Sequence, residues 1–263
     1  MKPISSRDNP LYKELKQLAT SSQARRKGGR TLLDGVHLCE AYLQHLGMPA
    51  LCVTTQRAMG NPEVLTLVAQ CDGGGAQCIV LPDKLYQALS QVEHGISLLF
   101  VIDTPQLTTP AVLDTSAVLL DNVQDPGNLG SILRSAAAAG ITAVYCSPGT
   151  AFSWSPKVLR AGMGAHFLLR IFENADLAEL IRTATISVLA TSSHATQQLY
   201  DIDLKHPVVW LFGHEGQGVA DELLALASQQ IGIPHQGPME SMNVAASAAV
   251  CFFEQVRQQR HCK

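Results

Sequence analysis

Short, unbroken apolar runs recur along this chain and alternate with longer segments of helical periodicity. The clearest runs are Leu51–Thr55, Gln77–Leu81, Leu98–Ile102, Ala117–Leu120, Ala143–Cys146, Ser187–Ala190 and Val208–Phe212. Runs of this length, bracketed by turn residues as Gly95 and Pro105 bracket Leu98–Ile102, predict strands buried on both faces. Arg30–Asp34, Phe167–Ile171 and Gln230–Ile233 predict three more. Helices are expected from Pro10 to about Ala19, Val36 to Leu46, Lys84 to Gln91, Gly130 to Gly140, Pro156 to Met163 and Leu177 to Thr183, with a long last one from about Asn243. The Asn9-Pro10 pair places proline near the first helical position, where its missing N–H costs nothing. Continuous apolar strands alternating with helices predict an α/β fold with a parallel sheet covered on both faces.

The rhythm breaks once. Asp103–Ala111 holds two prolines, three threonines and no periodicity, which marks a linker. The expected organisation is a smaller domain over 1–102, a linker over 103–115, and a second domain over 116–263.

At 263 residues, 46% hydrophobic and 16% charged, the chain is long enough to bury substantial cores in two domains. No apolar run reaches the roughly 18 residues of a membrane span. The opening Met-Lys-Pro-Ile-Ser-Ser-Arg lacks the apolar core of a signal peptide, so a cytoplasmic location is expected. Seven scattered cysteines (39, 52, 71, 78, 146, 251, 262) form no C-x-x-C pair, which argues against zinc and for reduced, buried thiols. The net charge of −3 conceals an asymmetry: residues 1–30 carry +6 and the rest −9. A basic end on an acidic body suits phosphate contacts, and Arg7, Arg25, Arg26, Lys27 and Arg30 are the candidate RNA-binding residues. The plainer alternative is a solvated amphipathic helix followed by a disordered basic turn.

Candidate chemistry lies in three loops of the second half: Asn122–Arg134, Leu211–Gly218 and Ser241–Ala245. Each is rich in Gly, Asn or Ser and stands where a strand-like run gives way to a helix-like one. On parallel sheets ligands bind at the carboxyl ends of strands, where such loops fall. No G-x-G-x-x-G opens a first βαβ unit, and neither a phosphate-cradling G-x-x-x-x-G-K-[ST] nor a Gly-x-Ser-x-Gly elbow is present. Nicotinamide dehydrogenases, P-loop NTPases and standard serine hydrolases are therefore disfavoured.

The three loops resemble, in order and spacing, the three motifs of the SpoU/TrmH family of RNA ribose 2′-O-methyltransferases, within the SPOUT superfamily. The first is similar to Asp125-Pro126-Gly127-Asn128-Leu129-Gly130 followed by Arg134. The second is similar to Phe212-Gly213-His214-Glu215-Gly216-x-Gly218. The third comprises Ile233-Pro234 and Ser241-Met242-Asn243-Val244-Ala245. The match spans roughly 116–258. Residues 1–102 resemble the L30e-like substrate-binding domain of many members, through Ser6-Arg7-Asn9-Pro10 and Gly29-Arg30 with Leu33-Asp34-Gly35.

The resemblance implies S-adenosylmethionine as methyl donor with no metal, structured RNA (rRNA or tRNA) as substrate, a deep trefoil knot and a homodimer with the active sites at its interface. It implies that Gly213, Ile233 and Met242, with Thr191 as a further candidate, hold the cofactor. Asn128, Arg134, Glu215, Ser241 and Asn243 match the catalytic cluster. A sulfonium methyl is already activated, so attack by a ribose oxygen needs positioning and proton removal rather than a metal. The family mechanism often casts the arginine matching Arg134 as the base. A guanidinium is effectively always protonated, so a phosphate clamp or an orienting donor is the physically easier role. Glu215 is expected to pin Asn243 or a backbone amide and so order the third turn.

Some positions depart from the family pattern. Ile233-Pro234 is followed by His235-Gln236 where Met and a small residue are usual, Met242 stands in place of leucine, and Glu93-His94-Gly95 replaces a Pro-Gln-Gly segment. Two rival functions stay open on sequence: a knotted RNA-binding protein without catalysis, and a methyltransferase acting on a base nitrogen.

Overall fold

A computed structural model describes residues 1–92, 95–239 and 241–260, and the chain divides into two compact units. Glu93, His94 and Cys262 lie outside the described residues. The first unit comprises Met1–Gln106 with Trp154–Phe167. Its elements are β1 (Lys2–Pro3), α1 (Pro10–Thr20), α2 (Ser22–Gly28), β2 (Arg30–Asp34), α3 (Val36–His45), β3 (Leu51–Thr55), α4 (Pro62–Gly73), β4 (Gln77–Leu81), α5 (Asp83–Gln87) and β5 (Leu98–Asp103). The strands line up as β1-β4-β3-β5-β2. β2 and β3 both run antiparallel to β5, so this sheet is mixed and departs from the wholly parallel expectation. Its core gathers Tyr12, Leu15, Leu32, Val53, Ile79, Leu81 and Leu99.

Local chemistry explains the helix boundaries here. Asn9 caps α1 by accepting the Leu11 N–H at 3.0 Å. Ser21 ends α1 and starts α2, its hydroxyl accepting the Ala24 N–H at 3.2 Å. The stretch 22–28, for which a disordered basic turn was the alternative, is thus a helix, closed by Gly29 in the left-handed conformation at φ 60°.

The second unit comprises Leu107–Ser153 and Leu168–Lys263. Along the chain follow β6 (Ala117–Leu120), α6 (Pro126–Ala138), β7 (Ala143–Cys146), α7 (Pro156–Gly162), β8 (Arg170–Phe172), α8 (Leu177–Arg182), β9 (Val188–Thr191), β10 (Gln197–Gln198), β11 (Val209–Phe212), α9 (Asp221–Leu226), β12 (Gln229–Gly232) and α10 (Val244–Arg260). α7 groups with the first unit, where Thr31 Oγ1 donates to Trp154 O at 2.7 Å and Arg160 Nη1 to Gln91 O at 2.8 Å. The strand expected from Phe167 begins at Arg170, because Ala165–Phe167 winds into a 3₁₀ turn. The end of the expected linker is ordered: Leu113, 2% exposed, joins the second core and bridges to Ala184.

All seven strands of the second sheet are parallel, in the order β10-β12-β9-β11-β6-β7-β8. β10 lies outside β12, so the connection from β9 to β11 travels out past β12 and back before β11 forms. The chain leaving β12 then passes through this excursion to reach α10, which packs against α6. This threading is the trefoil knot of the SPOUT fold, a topology almost absent elsewhere. The excursion is fastened to α10 by Leu204 N–H to Gln258 Oε1 at 2.8 Å and Gln258 Nε2 to Ile202 O at 3.1 Å.

α10 is anchored from beneath as well. Phe252 meets Phe212 edge to face at 5.6 Å, and the fully buried Trp210 donates its Nε1–H to Gln255 Oε1 at 2.8 Å. Replacing Gln255 by Leu leaves that indole N–H unpaired in the core. The expected loss is about 1–3 kcal/mol, seen as a lower urea midpoint at unchanged slope. An unchanged midpoint would show that the bond contributes nothing.

Candidate active site

The candidate residues gather at the carboxyl edge of the second sheet. There the chain leaves β6 into loop 121–125, β9 into 192, β11 into 213–220 and β12 into 233–243. β12, β9, β11 and β6 are neighbours in that order, so parallel pairing delivers the four exits side by side.

The β11 exit is shaped by glycine. A Cβ on Gly213 would lie 2.1 Å from the carbonyl carbon of Gly218 and 2.2 Å from Val219 N, so the backbone folds onto itself as no other residue allows. His214 and Gly218 exchange both backbone hydrogen bonds, at 2.9 and 2.8 Å, and Gly218 takes φ 73°. The loop between them is a small closed turn with Glu215 at its tip.

Glu215 is the hub. Its carboxylate accepts the Gln124 N–H at 3.2 Å, the Asp125 N–H at 3.0 Å and the Asn128 Nδ2–H at 3.1 Å. Asn128 Oδ1 in turn accepts from Asn243 Nδ2 at 2.8 Å. Asn243 Oδ1 caps α10 by accepting the N–H groups of Ala245 at 2.9 Å and Ala246 at 3.2 Å. Glu215 therefore holds backbone amides, but of the first loop, and it reaches Asn243 through Asn128 instead of directly. The clasp is reciprocal: Asp121 Oδ2, on the first loop, accepts the Ala220 N–H of the second at 3.0 Å. Asp125 caps α6 through the Asn128 N–H at 2.8 Å, and Pro126 occupies the first turn.

Burial pushes the Glu215 carboxyl up. The hydrogen bonds from Asn128 and from the Asp125, Glu215 and Gln124 amides outweigh that and hold it below its ordinary range.

The other candidates surround this relay. Thr191, at the end of β9, donates its hydroxyl to Leu211 O at 3.3 Å and so ties the exits of β9 and β11. Ile233 follows β12 half-buried, while Ser241 and Met242 are exposed just before α10. Arg134 stands exposed on α6 and forms no hydrogen bond or ion pair with a described residue. Among the described residues, no backbone–backbone hydrogen bond involves 233–242. The N–H and C=O groups of that stretch are thus available to a ligand. Such groups suit the mixed donor and acceptor edge of an adenine and the hydroxyls of a ribose, so the exits fit S-adenosylmethionine.

A fourth loop, which sequence reasoning missed, buttresses the first. The Asn122 N–H donates to Ser147 Oγ at 2.8 Å, and Thr150 Oγ1 donates to Leu120 O at 3.0 Å. Asn122 itself adopts φ 58°. The available signal was Asn122 followed by a Ser-Pro-Gly-Thr turn at the next strand's end.

The basic residues of the first unit divide. Arg25 is only 7% exposed, and its guanidinium caps α1 through Leu18 O at 2.6 Å. That placement corrects the expectation that it faces phosphate. Arg30 is held by Asp103 at 2.9 Å and Glu14 at 3.3 Å, in a groove of about 650 Å³ that Lys27 also lines. Arg7, Arg26 and Lys27 are exposed. The six described cysteines are all buried and free, and no helix is long and apolar enough to cross a membrane among the described residues.

Comparison with known proteins agrees with this geometry. Residues 115–253 match the SpoU rRNA methylase family. A tRNA/rRNA methyltransferase of Synechocystis sp., not further characterised, is 35% identical, covering 97% of this chain and 94% of its own. The 23S rRNA (guanosine(2553)-2′-O)-methyltransferase RlmP of Bacillus subtilis is 28% identical over 96% and 98%. The AdoMet-bound rRNA methyltransferase of Sinorhizobium meliloti superposes with a TM-score of 0.85 at 26% identity, covering 97% of each chain. The chain belongs to the SpoU family of RNA methyltransferases.

The Glu215 clasp has a pH signature. A carboxyl depressed in the folded state stabilises it fully above its unfolded value, near 4.5, and loses that contribution as pH falls through the folded value. The wild type should therefore lose thermal stability more steeply than Glu215→Gln between about pH 6 and pH 3. Parallel melting curves would show that the carboxylate is not the clasp.

Proposed function

We propose that this protein transfers a methyl group from S-adenosylmethionine to a ribose 2′-hydroxyl of ribosomal RNA, in the cytoplasm and as a homodimer. The observation that carries the reading is the Glu215–Asn128–Asn243 relay, which links three motif loops beside 233–239 and 241–242, described residues with no backbone–backbone hydrogen bond. Relatives named as 23S rRNA 2′-O-methyltransferases support ribosomal RNA as the substrate. For the homodimer, the support is a stripe on α10: Ala246, Val250 and Phe253 recur at helical spacing, and Phe253 is 48% exposed. The first unit is the RNA-positioning domain in this reading, with Arg7, Arg26 and Lys27 reaching phosphates.

Bound S-adenosylmethionine supplies an electrophilic methyl group, so the protein's tasks are alignment and proton handling. Gly213, Ile233 and Met242 hold the donor through backbone groups, and Thr191 keeps the two neighbouring strand ends together. Glu215 does not act as base, because its oxygens are committed to three N–H donors and its carboxyl is depressed. It keeps Asn128 and Asn243 in register while Ser241 faces the ribose. Arg134, which forms no hydrogen bond or ion pair with a described residue, orients the incoming ribose-phosphate through its guanidinium.

The intact relay disfavours the reading of a knotted RNA binder without catalysis. Arg134→Ala should lower methyl transfer to ribosomal RNA by at least about a hundredfold, within the range of one positioned charged group, while cofactor affinity changes little. A wild-type rate in that variant would remove Arg134 from the site. Nucleoside mass spectrometry of the product should show 2′-O-methylribose, and a methylated base would replace this reading with base methylation.

A further inference from the structure

His214 lies between the glycine that folds the second loop and the glutamate that clasps the first. Its imidazole Nδ1 accepts two backbone N–H groups, from Gly216 at 2.9 Å and Gln217 at 3.1 Å. In these contacts Nδ1 serves as the acceptor for both N–H groups. The same residue's backbone closes the turn with Gly218 in both directions. Three donors within the loop are thereby tied to one residue: the N–H groups of Gly216, Gln217 and Gly218. Glu215, the residue between His214 and Gly216, lies within this tied turn. A Cβ at Gly216 would meet the His214 ring at 3.6 Å, an ordinary contact, so the ring lies directly against this loop.

We propose that His214 is a positioning residue for the methyl-transfer site. Its Nδ1 acts as an internal cap that fixes the second loop, so that the Glu215 carboxylate meets the Gln124, Asp125 and Asn128 donors with no further ordering. This rests on the functional reading above for its consequence in catalysis, but its geometry concerns the loop itself. Asparagine is the side chain that best reproduces the cap, because its Oδ1 accepts N–H groups two and three residues on, as Asn243 does at the start of α10. Alanine and leucine supply no acceptor, and leucine keeps comparable bulk.

The test compares His214→Asn, His214→Ala and His214→Leu in the full-length protein. Amide hydrogen exchange at Gly216 and Gln217, S-adenosylmethionine affinity by calorimetry and methyl transfer to ribosomal RNA are read in parallel. Leucine and alanine should speed exchange at both amides and weaken cofactor binding or turnover by about tenfold, equivalent to one or two lost hydrogen bonds. Asparagine should restore all three readouts to within about threefold of wild type. Where alanine fails to fold, the leucine–asparagine pair reads the acceptor alone. Unchanged exchange in the leucine variant, or an asparagine variant no better than leucine, would overturn the proposal. A wild type that binds the donor yet methylates no RNA would defeat the functional reading instead, while exchange at 216 and 217 would still decide on His214.

Discussion

Everything at this site depends on two carboxylates that reach across from one loop to the backbone of another. Glu215 holds the amides of Gln124 and Asp125, and Asp121 holds the amide of Ala220. Loops after neighbouring strands of a parallel sheet have no ladder to order them, and their polar backbone groups need partners that the sheet no longer supplies. The clasp supplies those partners in both directions. A carboxylate accepting several N–H groups is the stronger, charge-assisted kind of bond, and it is directional. Removing either acid leaves amides unpaired on the opposite loop, so each loop's conformation is a property of the pair.

Much of this was legible in the residues, for reasons that differ by element. Unbroken apolar runs such as Ala117–Leu120 and Val209–Phe212 are strands because both faces of the second sheet are covered, and every residue in each is buried. The Asn-Pro pair before α1 announces a capped helix start and forms it, whereas α6 starts at Pro126, a turn ahead of the expected Gly130, because Asp125 caps it. The mixed first sheet was not legible, because β5 is equally apolar whichever way its neighbours run. The threading of β12 and α10 was not legible from periodicity either, since it concerns the order of passage and leaves no mark on local pattern. It followed only from the family resemblance.

At the site, Glu215, Asn128 and Asn243 were identifiable as a set, but the wiring between them was not. Spacing cannot say whether Glu215 meets Asn243 directly or through a third residue, and here Asn128 stands between. Arg25 shows the limit of charge counting. It contributes fully to the +6 of the first thirty residues, yet its guanidinium is spent on the carbonyl end of α1. Arg30 is likewise balanced by Asp103 and Glu14. The basic end available to a polyanion is therefore smaller than its formal charge and narrows to residues such as Arg7 and Lys27.

The contrast between the loops bears on how binding energy is distributed. The first two are pinned before any ligand arrives, through side-chain acceptors and the self-contact at Gly213. The described residues 233–239 and 241–242 make no backbone–backbone hydrogen bond before Asn243 caps α10. The first two loops thus form a pinned wall of the site. The wall sets where the reacting groups lie, since small misplacements cost much of the rate. The relay joins the two halves at a single contact, Asn128 to Asn243. The asparagine that the Glu215 clasp holds is therefore the same one that meets Asn243 at the start of α10, so the first loop and the cap of α10 share one alignment.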